Sequence, residues 1–186
     1  MPLIELIDPN SSPEYQDVYD ASRYDEESPF QQVMLHNPAV LRAKMTFGQT
    51  VLDAGQIDET LYEYVMIVVA QTNDCEYCVG SHRLKLQSIG GVSDDLIETL
   101  TAGAYDQLPD RERAVVEFAE QVVEAPHRVT DDHLDPLFDL GFSESDVIQL
   151  LAVIANCNVS NMIVSSLGIT PDDRTDELPT DVETGR

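Results

Sequence analysis

Helical signals recur along the chain from Pro38 to about Ser166, and no segment alternates as a half-buried strand would, which confines the fold to the all-α class. Pro38 sits at a helix start and leads into Ala39 to Leu52, where Val40, Leu41, Met45 and Val51 fall near helical spacing. Asp58 reads as the N-cap of a helix running to about Asn73, with Leu61, Val65, Val68 and Val69 as its apolar stripe. Another helix spans Cys78 to Ser88 and is closed by Gly90-Gly91. Ser93 caps the next, which carries Leu96, Ile97 and Leu100, and Pro109 takes a first-turn position before Arg111 to Glu124. Thr130 opens a short helix to Leu140, and Ser143 with Asp146 opens a long one. One turn-and-cap pattern occurs twice: Gly91-Val92-Ser93-Asp94 before Leu96-Ile97 returns 50 residues later as Gly141-Phe142-Ser143-Glu144 before Val147-Ile148. Such an echo predicts a duplicated helical hairpin in which one copy carries the chemistry and the other is scaffold.

The 186 residues, 42% of them hydrophobic, suffice for one core. The expected organisation is an N-terminal arm over 1–30, a helical domain over 31–170 and an acidic flexible tail over 171–186. The arm is punctuated by Pro2, Pro9, Pro13 and Pro29, so it is expected to hold at most one short helix around Glu14 to Tyr24. Tyr15, Val18, Tyr19 and Phe30 are expected to pack it onto the rest of the chain.

With 35 Asp and Glu against 10 Lys and Arg, the formal net charge is −25. That field repels nucleic acid and anionic membrane surfaces, so neither is an expected partner. Only two lysines occur, Lys44 and Lys85. Acids spread along the whole chain suit either an ordinary acidic protein or a high-salt cytosol, where screening within about 3 Å at molar ionic strength removes self-repulsion. No signal peptide is expected, because Met1-Pro2-Leu3-Ile4-Glu5 has neither a basic start nor a sustained apolar stretch, and the longest apolar runs, Val65 to Ala70 and Leu150 to Ala155, are far shorter than a membrane span. Three cysteines do not make a disulfide scaffold; they point to redox or metal chemistry in a reducing, cytoplasmic setting.

Cys75 and Cys78 lie three residues apart and His82 four beyond, so on a helix they occupy neighbouring positions of one face. Asn73 and Asp74 are cap-type residues directly before them, which places the cysteines at a helix start. There unpaired amides and the positive end of the dipole favour the thiolate. Glu63 stands twelve residues before Cys75 in an otherwise apolar helix, where burial is expected to raise its pKa and suit it to accept a proton. A relay from thiol to His82 to Glu63, direct or through water, would activate one sulfur. Two rival readings stay open on these residues. In one the cysteines are inert core residues; in the other Cys75, Cys78, His82 and Glu63 bind zinc. Structural zinc sites usually draw a second pair of ligands from a distant knuckle, and His36, His127 and His133 have no cysteine beside them. No metal or organic cofactor is expected.

The run from Leu61 to His82, with Glu63, Cys75-Glu76-Tyr77-Cys78 and His82 at these separations, resembles the core of the carboxymuconolactone decarboxylase and alkylhydroperoxidase D superfamily. The likeness extends outward from Asn37-Pro38-Ala39-Val40-Leu41 to roughly Gly168. It implies an all-helical, homo-oligomeric fold of duplicated hairpins and a thiol-dependent peroxidase or disulfide reductase with an antioxidant role. It also implies Cys78 as the reacting thiol, Cys75 as the partner that closes the disulfide, and His82 with Glu63 as the proton relay. The implied partners are a peroxide or disulfide substrate, a dithiol reductant such as a lipoyl protein or peroxiredoxin system, and further copies of the chain as a dimer, trimer or hexamer. The sequence departs from the best-studied branch at Tyr77, where that branch carries a histidine. The branch that lends the superfamily its name lacks the cysteine pair, and retention of both cysteines argues against decarboxylation here. A non-enzymatic redox sensor is the alternative of another class.

Overall fold

Every residue from Leu61 to Ala70 is buried, so the helix they form must be covered on all sides. The computed structural model describes residues 2–20, 28–89 and 92–170, and among these every regular element is helical. In chain order the helices are α1 (Pro13–Asp20), α2 (Pro29–Met34), α3 (Pro38–Leu52), α4 (Glu59–Thr72), α5 (Glu76–Ser88), α6 (Asp94–Thr101), α7 (Asp110–Glu124), α8 (Asp131–Asp139) and α9 (Glu144–Leu167). Among the described residues a 3-10 turn at Pro9–Ser11 precedes α1, and two others, Tyr105–Gln107 and Pro126–Arg128, lie between α6 and α7 and between α7 and α8. The apolar stripe expected on α4 is therefore its whole circumference, because α5, α6, α7 and α9 all pack on it. Burial of each large apolar side chain contributes about 1.5–3 kcal/mol, which makes α4 the centre of the core.

Cap chemistry sets where the helices begin. The Asp58 carboxylate accepts from the Leu61 amide, Ser93 from Leu96 and Ser143 from Asp146, as their sequence positions predict. Two starts differ from expectation. Helix α5 begins at Glu76, with Cys75 as its cap, and Pro109 caps α7 from outside its first turn. The repeat is visible in element order: α4, α5 and α6 start at Glu59, Glu76 and Asp94, and α7, α8 and α9 start at Asp110, Asp131 and Glu144. The second copy holds Pro136 inside α8 and no cysteine there.

Helix α9 has the length and apolar composition of a membrane span, 24 residues with mean hydropathy 1.7 over its best window, a property that short contiguous runs did not reveal. Within the protein 56% of that window is buried, against α3, α4, α5 and α7. The N-terminal arm lies against this bundle. The Leu3 amide donates to the Leu167 carbonyl, and Ile7, Tyr15 and Phe30 pack on Met34, Leu35 and Leu41. The expectations for the side chains of Val18 and Tyr19, for the helix end at Tyr24, for Gly90-Gly91 and for the 171–186 tail lie outside the described residues.

Candidate active site

The α4–α5 connection is the local structure that fixes the cysteines. Asn73 closes α4, Asp74 takes a left-handed conformation with φ 53°, and the chain turns back so that the Cys75 amide donates to the Ala70 carbonyl at 2.9 Å. Asp is one of the few residues other than Gly that tolerates this conformation. Cys75 thus occupies the N-cap of α5 and Cys78 lies within its first turn, where unpaired amides favour a sulfur anion. No side chain caps this helix end. The two cysteines, with Cα atoms 5.3 Å apart, form a disulfide.

One turn further along α5, the buried His82 meets the buried Glu63 of α4, with Nδ1 and Oε2 2.5 Å apart. An ionised carboxylate only accepts, so Nδ1 carries the hydrogen and Nε2 becomes the basic atom of the ring. Burial, followed by the charge of Lys85, pushes the His82 pKa below its ordinary 6.5, while Glu63 pulls it the other way. The imidazole is therefore held neutral and ready to take a proton.

Glu63, Cys78 and His82 line one cavity of about 900 Å³, whereas Cys75 does not line it. The structure therefore groups the four sequence-predicted residues as two contacting pairs, one sulfur of which borders the cavity. Cys157, the remaining cysteine, is buried on α9 against the Met66 carbonyl, and burial raises its pKa to about 12, so it is not a reactive thiol. Among the described residues no three His, Cys, Asp or Glu side chains converge as a metal-holding group.

Sequence reasoning missed several residues of the cavity wall. Lys44, Tyr62, Asn156 and Gln31 all line it. The Lys44 ammonium donates to Asn156 Oδ1 at 3.2 Å, and Asn156 Nδ2 donates to the Tyr62 hydroxyl at 2.8 Å. Lys85 also lines the cavity, and its spacing of three residues after His82 and seven after Cys78 was a usable signal. Tyr77, which stands where the best-studied branch has histidine, is buried, and its hydroxyl accepts from the Phe30 amide at 3.4 Å, pinning α2 beside the site.

The family model of the carboxymuconolactone decarboxylase family matches residues 38–121, a stretch that contains all four site residues. Human Sestrin-2 is 25% identical over 128 residues, 67% of this chain but only 25% of Sestrin-2, so the match spans about a quarter of that relative. Among solved structures, an alkylhydroperoxidase AhpD core, a peroxidase-related protein from Ralstonia eutropha JMP134, superposes with TM-score 0.82 at 21% identity over 94% of both chains. A Cys-to-Ala variant of the debrominase Bmp8 in complex with 2,3,4-tribromopyrrole superposes with TM-score 0.82 at 16% identity over 95% of both. The carboxymuconolactone decarboxylase family model thus matches the stretch that holds the Glu63 to His82 core, and nearly the whole chain shares the fold of the alkylhydroperoxidase AhpD core.

Proposed function

We propose that the protein is a thiol-dependent peroxidase that cycles Cys75 and Cys78 between dithiol and disulfide. The observation that carries this reading is the buried Glu63–His82 pair lining the same cavity as Cys78. In the reduced state His82 Nε2 takes the Cys78 proton, leaving a thiolate at a helix start. The thiolate attacks a hydroperoxide: an S–O bond forms, the O–O bond breaks, and the departing alkoxide takes a proton to leave as an alcohol. The Cys75 thiolate then attacks Cys78 Sγ. The S–S bond forms, the S–O bond breaks, and hydroxide leaves as water after taking a proton. A dithiol donor, a lipoyl protein or a peroxiredoxin system, restores both thiols by exchange and is itself oxidised to its disulfide. Run on a disulfide substrate, the same pair acts as a reductase.

The test is consumption of cumene hydroperoxide with dihydrolipoamide as reductant. Cys78→Ser should abolish turnover, and Glu63→Gln, which keeps size but not basicity, should lower it by about 10²-fold or more. Equal consumption by wild type and Cys78→Ser removes the catalytic claim. A single stoichiometric oxidation without turnover leaves the redox-sensor alternative standing in its place.

A further inference from the structure

In a chain with 35 acids and 10 bases, a lysine should find a carboxylate easily. Lys44 does not. Its partners are the neutral Asn156 Oδ1 and the ring of Phe30, whose centroid is 5.4 Å from Nζ, and no ion pair to it occurs among the described residues. The cost of this arrangement shows in its pKa, which burial lowers to about 8. A half-buried cation with no counter-ion among the described residues carries a desolvation cost that an incoming anion would relieve.

A second feature of the same wall is independent of charge. Gln31 is only 1% exposed, and both its Oε1 and its Nε2 are buried without a hydrogen-bond partner. Buried amides in folded proteins are nearly always satisfied, so an orphaned one on a residue that lines a cavity is a place where a ligand can supply a missing bond. Phe30 and Gln31 of α2 line the same cavity as Lys44, whose ammonium lies over the Phe30 ring. Lys85 adds positive charge to the lining. The carboxylates there are the exposed Asp53 and Glu59 and the buried Glu63, which is engaged by His82.

We propose that the cavity selects substrates carrying a carboxylate, which is seated by the Lys44 ammonium and the Gln31 amide while the oxidised group of the same molecule faces Cys78. This rests on the redox reading of the cysteine pair and names its substrate class: an organic hydroperoxide or disulfide that bears a carboxylate. The overall field of the protein opposes such a choice, so the selection must come from these local groups.

Alkylation of Cys78 in a Cys75→Ser background, by iodoacetate and by neutral iodoacetamide, separates the two questions. The ratio of the iodoacetate to the iodoacetamide rate reports carboxylate recognition and cancels changes in thiol reactivity. At pH 7 the ratio should exceed that of N-acetylcysteinamide despite the acidic surface. It should fall about tenfold in Lys44→Met, the effect of one ion pair of roughly 1.4 kcal/mol. Lys44→Arg should retain it, and Gln31→Leu should lower it by about threefold, as loss of one modest hydrogen bond does. A wild-type ratio at or below that of the free thiol, or an equal ratio in folded Lys44→Met, overturns the proposal. Slow reaction with both reagents would count against the redox reading instead, and the ratio would still be readable. To find which substrate carries the carboxylate, the rates of dithiol oxidation by linoleate hydroperoxide and by 5,5′-dithiobis(2-nitrobenzoate) are compared with those of neutral cumene hydroperoxide and 4,4′-dithiodipyridine. The pair whose anionic preference collapses in Lys44→Met identifies the source, and collapse in neither overturns the substrate assignment.

Discussion

His82 is held between opposed influences from three helices. Burial and the cations Lys85 of α5 and Lys44 of α3 disfavour the imidazolium, and the Glu63 carboxylate of α4 favours it, with the balance below the ordinary 6.5. In the proposed reaction the neutral ring is the proton acceptor, so the acid limb of its kcat/KM profile should fall below pH 6.5. Lys85→Met removes one of the opposing cations and should move that limb to higher pH. A limb that stays fixed or moves down in the variant contradicts this electrostatic account. The same shift bears on stability: as pH falls below 6.5 the unfolded chain binds a proton before the folded one does, so stability is lost in acid and regained on raising pH through that window. The residues of the proposed relay were legible in the sequence because their spacing alone puts Cys75, Cys78 and His82 close together at a helix start, and because Glu63 is the one acid in the run from Leu61 to Ala70. Lys44, Gln31 and Asn156 were not, since each reaches the cavity from a different helix and only tertiary packing brings them together.

At the scale of elements, the entry into α4 is fixed by α9. Gln149 is buried; its Oε1 accepts from the Ile57 amide at 3.1 Å and its Nε2 donates to the Val51 carbonyl at 2.8 Å. Asp146 accepts from the Gln56 amide at 3.1 Å, and hydrogen bonds from Ser143 hold its carboxyl below the usual range. The α3–α4 loop runs so close that a Cβ on Gly55 would stand 2.6 Å from Gln149 Oε1. Gln149→Leu keeps the volume but strands a backbone N–H and a C=O in the core, a loss of about 2 kcal/mol that should lower Tm by roughly 4–8 °C. Calorimetry measures it, and an unchanged Tm would mean that the loop finds other partners. Caps such as Asp58, Ser93 and Ser143 were readable because they act within one turn of sequence. The complete burial of α4 was not, because the four helices that cover it come from both halves of the repeat.

Over the whole molecule, the surface combines a net charge of −25 with an apolar stripe on α9. Ile148, Val159 and Met162 are 66%, 46% and 68% exposed, and separations of eleven and three residues place them on one side of the helix, three turns and then one turn apart. The other face of α9 is spent on the core, so this stripe remains uncovered in a single chain. Exposed apolar rows of this kind mark contacts between proteins, and a symmetric pairing of α9 with its copy would bury the same residues from both sides. Charge opposes that association at low salt, because like surfaces must approach, and screening removes the opposition while salt strengthens apolar burial. Light scattering at micromolar concentration should therefore show an oligomer whose share grows as KCl is raised toward about 2 M. An assembly held by ion pairs would behave in the opposite way and dissociate. Val159→Asp with Met162→Asp should give a monomer with unchanged circular dichroism, since both positions are exposed in the single chain. A wild type that stays monomeric throughout the salt series would show that the stripe serves no self-association.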